Sequence, residues 1–153
     1  MPPTSGSCRC GELTFEIRSA PIMTTACHCT GCQKMSASAF SLTALVAADS
    51  FAITQGEPVI GGLHGASKHY FCPHCLSWLF TRPAETDAVV GVRSSMLENA
   101  WQFAPFIETW TSEKLPWAQT GATHSFAQFP SPDAFGPLAQ RFAEQAGSDR
   151  STR

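Results

Sequence analysis

Phe71-Cys72-Pro73-His74-Cys75-Leu76-Ser77 is the stretch that decides how the chain folds. His69-Tyr70-Phe71 leads into the cysteine pair and Trp78-Leu79-Phe80 leads out of it, so two strand candidates meet at a tight turn. A Cys-x-x-Cys turn lets both sulfurs reach one ion while backbone N–H groups point at the thiolates. The alternative is a redox pair of the thioredoxin type. That motif opens a helix in a βαβ setting, whereas here Pro73 follows the first Cys and both flanks read as strands. Far upstream, Cys8-Arg9-Cys10 offers a second pair at the mouth of a strand, both side chains on one face. Two pairs from distant parts of the chain close a tetrahedral zinc site on Cys8, Cys10, Cys72 and Cys75. Such a site is saturated, so its expected role is structural.

Three thiols remain, in Cys27-His28-Cys29-Thr30-Gly31-Cys32. Three ligands with an open fourth position is the arrangement of a catalytic zinc, which can bind a thiol and hold it as thiolate at neutral pH. Two alternatives stay open at this point. His28, His69 or His74 could fill the fourth corner and close the site, or the three could be ordinary reduced thiols. His28 sits between two ligands, so in an extended segment it points away from the metal.

The rest of the composition fits this picture. The chain has 153 residues, 43% of them hydrophobic and 14% charged, with seven Cys and a formal net charge of −2. That length makes one domain with its own core, expected over residues 1–147 and followed by a flexible tail at 148–153. An odd number of Cys cannot pair fully as disulfides. The N-terminal residues carry neither the basic nor the apolar region of a secretory signal, and no run is long enough to span a membrane. The expected setting is the reducing cytoplasm, where clustered Cys serve as ligands or catalysts. The charge balance argues against nucleic acid and against an anionic membrane as partner.

Eleven Gly and eleven Pro cut the chain into short pieces. Leu13, Phe15 and Ile17 alternate with polar residues as in a half-buried strand. Further strand candidates are 40–46, 51–53, 88–92 and 106–110, with a helical turn or loop over 94–100. A short helix is expected over 30–35. A second is expected over 132–146, capped by Ser131, broken at Gly136-Pro137 and ended by Gly147. The sum is a mainly β fold of short antiparallel strands with a C-terminal helix.

Gly6-Ser7-Cys8-Arg9-Cys10-Gly11-Glu12-Leu13-Thr14-Phe15-Glu16, then 27–40, then 71–77 also resemble, in order, the glutathione-dependent formaldehyde-activating enzyme family, which includes centromere protein V-like proteins. The resemblance implies a zinc-bound β-tent, with a structural zinc on Cys8, Cys10, Cys72 and Cys75. It implies a second zinc on Cys27, Cys29 and Cys32, near which a glutathione thiol binds. It implies a carbon–sulfur lyase that joins glutathione and formaldehyde into an S-hydroxymethyl adduct. Ala37 and Leu76 depart from the pattern, standing where the family commonly has Gly. Both put a Cβ where positive φ or close backbone approach is often needed.

On this reading Cys27, Cys29 and Cys32 are the catalytic residues, and a thiolate attacks an aldehyde carbon. His28, His69 and His74 are proton-donor candidates by type alone. Arg9, Lys34, Arg82 and Arg93 could meet the ligand's carboxylates, though each reads better as a surface charge. Trp101, Trp110 and Trp117 could wall a pocket but read better as core. The alternative function is a non-catalytic module that binds zinc, glutathione or a peptide.

Overall fold

A computed structural model describes residues 2–151. Strands β1 (Thr4–Ser7), β2 (Thr14–Ile17) and β5 (Phe51–Gln55) form a small antiparallel sheet in the order β1-β2-β5. The second sheet has eight strands: β3 (Met23–Cys27), β4 (Ser41–Ala47), β6 (Val59–Gly61), β7 (Lys68–Phe71), β8 (Trp78–Arg82), β9 (Val89–Arg93), β10 (Ile107–Thr109) and β11 (His124–Ser125). Their order is β11-β10-β3-β4-β9-β8-β7-β6. All neighbours are antiparallel except β10, which runs parallel to both β3 and β11. Helices α1 (Thr30–Ser36) and α2 (Pro132–Ser151) complete the fold, which is mainly β with a C-terminal helix.

The core lies on both faces of the large sheet, because alternate residues of a strand point to opposite sides. On one face Ala44, Val46, Val90, Val92 and Phe80 meet Leu13, Phe15, Ile17 and Phe51 of the small sheet. On the other, Met23 and Ile107 join Phe106 and meet Leu138 of α2, with Leu45, Phe135 and Phe142 packed around them. The molecule is thus three layers deep near α2.

Alternation located β2, and short apolar stretches located β4, β5, β7, β8, β9 and β10, each to within a few residues. Four strands that are short or carry few large apolar side chains, β1, β3, β6 and β11, were missed. β1 reads Thr-Ser-Gly-Ser and is shaped by close approach: a Cβ on Gly6 would stand 2.3 Å from the Phe15 ring. Two expectations for α2 do not hold. Gly136-Pro137 does not interrupt it, and Gly147 does not end it. Pro137 forfeits one helical hydrogen bond, but Ala134, Phe135, Leu138 and Phe142 lie on a buried stripe that carries the helix past it. Ser131 does cap the start, its hydroxyl accepting from the Ala134 amide at 3.3 Å. Residues 152–153 of the expected tail lie outside the described residues.

Candidate metal centres

The seven cysteines gather into the two groups expected. Sγ atoms of Cys8, Cys10, Cys72 and Cys75 all lie within 4.8 Å of one another, and so do those of Cys27, Cys29 and Cys32. All seven are free thiols. Four sulfurs about 2.3 Å from one tetrahedral ion stand about 3.8 Å apart. The structure has Cys8 and Cys10 at 3.4 Å and Cys10 and Cys72 at 3.8 Å, so the donor set fits a tetrahedral ion.

Backbone turns hold the first group. Cys8 donates to the Leu13 carbonyl at 3.0 Å, and the Leu13 amide returns to the Cys8 sulfur at 3.4 Å. In the second turn Leu76 donates to the Cys72 carbonyl and Cys72 to that of Ser77, each at 3.0 Å. Leu76 takes φ 58° to close it. The Arg9 amide donates to the Ser77 hydroxyl at 3.2 Å, tying the two turns together. The Ser77 hydroxyl also sits 3.2 Å from the Cys75 sulfur and, foremost among its neighbours, pulls that thiol down to about 5. This group joins the small sheet, through β1, to the β7–β8 turn of the large one.

The triplet straddles the end of β3 and the first turn of α1. Cys27 closes the strand, Cys29 caps the helix and Cys32 lies one turn in. The Cys32 amide donates to the Cys29 sulfur at 3.3 Å. The Gln33 amide group donates to the carbonyls of His28 at 2.7 Å and Glu113 at 3.1 Å, which holds the Cys-rich segment against the loop after β10. Ala37 takes φ 49° and ends α1 by donating to the Gln33 carbonyl. Cys27 faces Ser41 on β4 and Thr109 on β10 in the sheet register. Both hydroxyls are buried without a hydrogen-bond partner, Thr109 lowering Cys27 and Ser41 lowering Cys32 from beside the triplet. The thiols share charge. A hydrogen bond from Cys32 pulls Cys27 down to about 5, while the same contact and burial push Cys32 up.

Among the described residues no fourth Cys, His, Asp or Glu joins the triplet. His28 turns away, as the extended reading expects. It is fully buried and its Nε2 lies 2.8 Å from Glu108 Oε2. His69 pairs through Nδ1 with the Thr81 hydroxyl at 2.9 Å, and His74 is exposed near Glu12 beside the four-cysteine group.

Sequence reasoning missed Glu108. Its carboxylate receives Lys114 Nζ at 3.0 Å, Thr120 at 3.0 Å and Ser125 at 2.7 Å in addition to the His28 ring. Burial works against the charge, but the Ser125, His28, Lys114 and Thr120 contacts outweigh it and hold Glu108 at about 2. Arg93 is a correction of another kind. Arg9 and Lys34 are the exposed charges expected, whereas Arg93 is buried on the face of the sheet that carries Cys27. Its guanidinium stacks 4.0 Å from the centre of the Trp78 ring. Trp101 and Trp117 are corrected too: they are exposed rather than core.

The family model described as glutathione-dependent formaldehyde-activating enzyme matches residues 3–113. No curated protein matches the chain. Among solved structures, the chain is similar to a crystal structure of a Rhodobacter sphaeroides protein. The two are 20% identical, the match covers 62% of this chain and 88% of that one, and the TM-score is 0.50. That likeness bears on the fold alone.

Proposed function

The chain belongs to the glutathione-dependent formaldehyde-activating enzyme family, and from that premise we propose that it is a zinc-dependent carbon–sulfur lyase. Its substrates would be a small glutathione-like thiol and an aldehyde such as formaldehyde. The observation that carries the proposal is a three-sulfur group with no fourth protein ligand among the described residues.

Cys27, Cys29 and Cys32 would hold the catalytic ion, and Cys8, Cys10, Cys72 and Cys75 the structural one. Zinc at the triplet supplies a Lewis acid that lets an incoming thiol lose its proton at neutral pH. The chain's own part is to keep three thiolates converged. The end of β3 fixes Cys27, the cap of α1 fixes Cys29, and Gln33 ties the segment between them. Ser41 and Thr109 flank Cys27 from the strands on either side. In the reaction a carbon–sulfur bond forms, the carbonyl electron pair moves to oxygen, and that oxygen takes up a proton. The net change is addition of S–H across C=O. The reverse breaks the same bond.

A module in which both sites are structural needs a closed triplet, and the lack of a fourth ligand among the described residues favours the open reading over it. A module that binds glutathione without turnover is separated from the enzyme by whether the protein speeds formation of the S-hydroxymethyl adduct. Metal analysis tests the open reading directly. Wild type should carry two zinc ions per chain and Cys29→Ser one, with the same far-UV circular dichroism. Glutathione should bind wild type at millimolar concentration by calorimetry and should not bind Cys29→Ser. Unfolding of Cys29→Ser would make the triplet structural, and no binding to wild type would remove glutathione as the ligand.

A further inference from the structure

Arg93 closes β9 with only 7% of its surface exposed. None of the ion pairs among the described residues includes it. One Nη donates to the Gly91 carbonyl at 3.1 Å, the Trp78 ring covers one side of the guanidinium, and Nε is buried without a partner. An arginine stays charged even when buried. A buried charge with no counter-ion is costly enough that natural folds avoid it. A counter-charge must therefore stand nearby.

Sheet register puts the cysteine triplet on the same face, two strands away. Arg93 pairs with Thr43 on β4, Ser41 lies two residues before Thr43 on the same strand, and Ser41 pairs with Cys27. Paired residues and residues two apart share a face, so Arg93 and Cys27 point to the same side of the sheet. The side chains of Val90 and Val92 go the other way, into the core. Burial pulls Arg93 down to about 10, and the opposing influences come from Cys32, Cys27 and Cys29.

We propose that Arg93 is the counter-charge of the cysteine triplet and selects an anionic sulfur ligand for its open position. The proposal rests on the reading of the triplet as a three-ligand zinc centre. Three thiolates and a divalent ion leave roughly one net negative charge. An incoming thiolate would meet that charge as a repulsion. The guanidinium cancels it, so the thiolate approaches a nearly neutral centre in a setting where water screens little. A neutral ligand gains nothing from the same cation. The thiol releases its proton to solvent as the sulfur binds, and no other bond changes. Arg93 is thus a specificity-determining residue that acts through charge and needs no contact with the rest of the ligand.

The test uses full-length protein loaded with cobalt(II), whose sulfur-to-metal absorption changes when the open position is filled. The probes are 2-mercaptoethanol, which has no carboxylate for Arg93 to bind, and imidazole, which is neutral. Arg93→Met should weaken 2-mercaptoethanol binding by about tenfold or more and change imidazole binding by less than about twofold. Arg93→Lys, which keeps the charge, should preserve the preference of wild type within about threefold. Arg93→Gln gives the same comparison as Met if the Met variant does not fold. Equal losses for both probes, or a folded Lys variant that behaves like Met, would overturn the proposal while leaving the open site intact. A wild-type cobalt protein that binds neither probe would overturn the open-site reading itself.

Discussion

The Glu108 carboxylate draws together four side chains from three parts of the chain. It gathers His28 from the end of β3, Lys114 and Thr120 from the loop after β10, and Ser125 from β11. Removing its charge leaves Lys114 without a counter-ion in a half-buried position. Glu108→Gln should therefore lose about 3 kcal/mol of stability at pH 7, read by urea unfolding. The sign of the pH dependence follows from the depressed carboxylate. Folded Glu108 sits at about 2 against an ordinary 4.5, so its contribution is present above 4.5 and disappears as pH falls from there through 2. The stability gap between wild type and Glu108→Gln should start to narrow as pH falls below 4.5, read at the pH values where metal analysis shows both chains still loaded with zinc. A gap that stays constant would show the loss to be one of packing. Nothing in the sequence marks Glu108, because its partner His28 is 80 positions away and a lone acid in a strand has no motif. Arg93 was legible as a cation near the site but not as a buried one, because the Trp78 ring that covers it comes from another strand.

At the scale of elements, the two positions where a family glycine is replaced became two left-handed residues. Ala37 ends α1 at φ 49° and Leu76 closes the Cys72–Cys75 turn at φ 58°. The left-handed region costs a residue with a Cβ about 1 kcal/mol relative to glycine. Ala37→Gly and Leu76→Gly should each raise the thermal midpoint by about 2–3 °C and leave zinc content unchanged. Leu76 is exposed, so its glycine variant loses little packing and makes the cleaner test. A fall in midpoint for both would mean that the local turns, not the side chains, absorb the strain. This requirement was legible because glycine substitution in a known pattern is a backbone statement. The strands were legible where their own residues alternate or run apolar. β3, with Thr24 and Thr25 at its centre, reads as polar, yet it sits mid-sheet between β10 and β4. Its neighbours supply the apolar surroundings that its own sequence lacks.

At the scale of the whole molecule, the two cysteine groups have unequal mechanical duties. The group of four joins different sheets: Cys8 and Cys10 follow β1 of the small sheet, and Cys72 and Cys75 lie in the turn between β7 and β8 of the large one. The triplet joins only consecutive elements, β3 and α1, which the chain already connects. Closing a contact across 62 residues restrains far more chain than closing one across five. Structural zinc sites in small peptides contribute about 10–16 kcal/mol, as much as the whole stability of a domain of this size. Loss of one ligand from the group of four should thus be felt everywhere. Cys75→Ser should lower the thermal midpoint by more than about 15 °C or abolish the cooperative transition, whereas Cys29→Ser should lower it by less than about 5 °C. Chelation of the wild type should reproduce the two losses in sequence, the triplet releasing its ion first because its coordination is incomplete. Equal destabilisation by the two substitutions would place a structural load on the triplet as well. It would then also remove the reason for leaving that site three-coordinate, since a load-bearing ion is held best by four protein ligands.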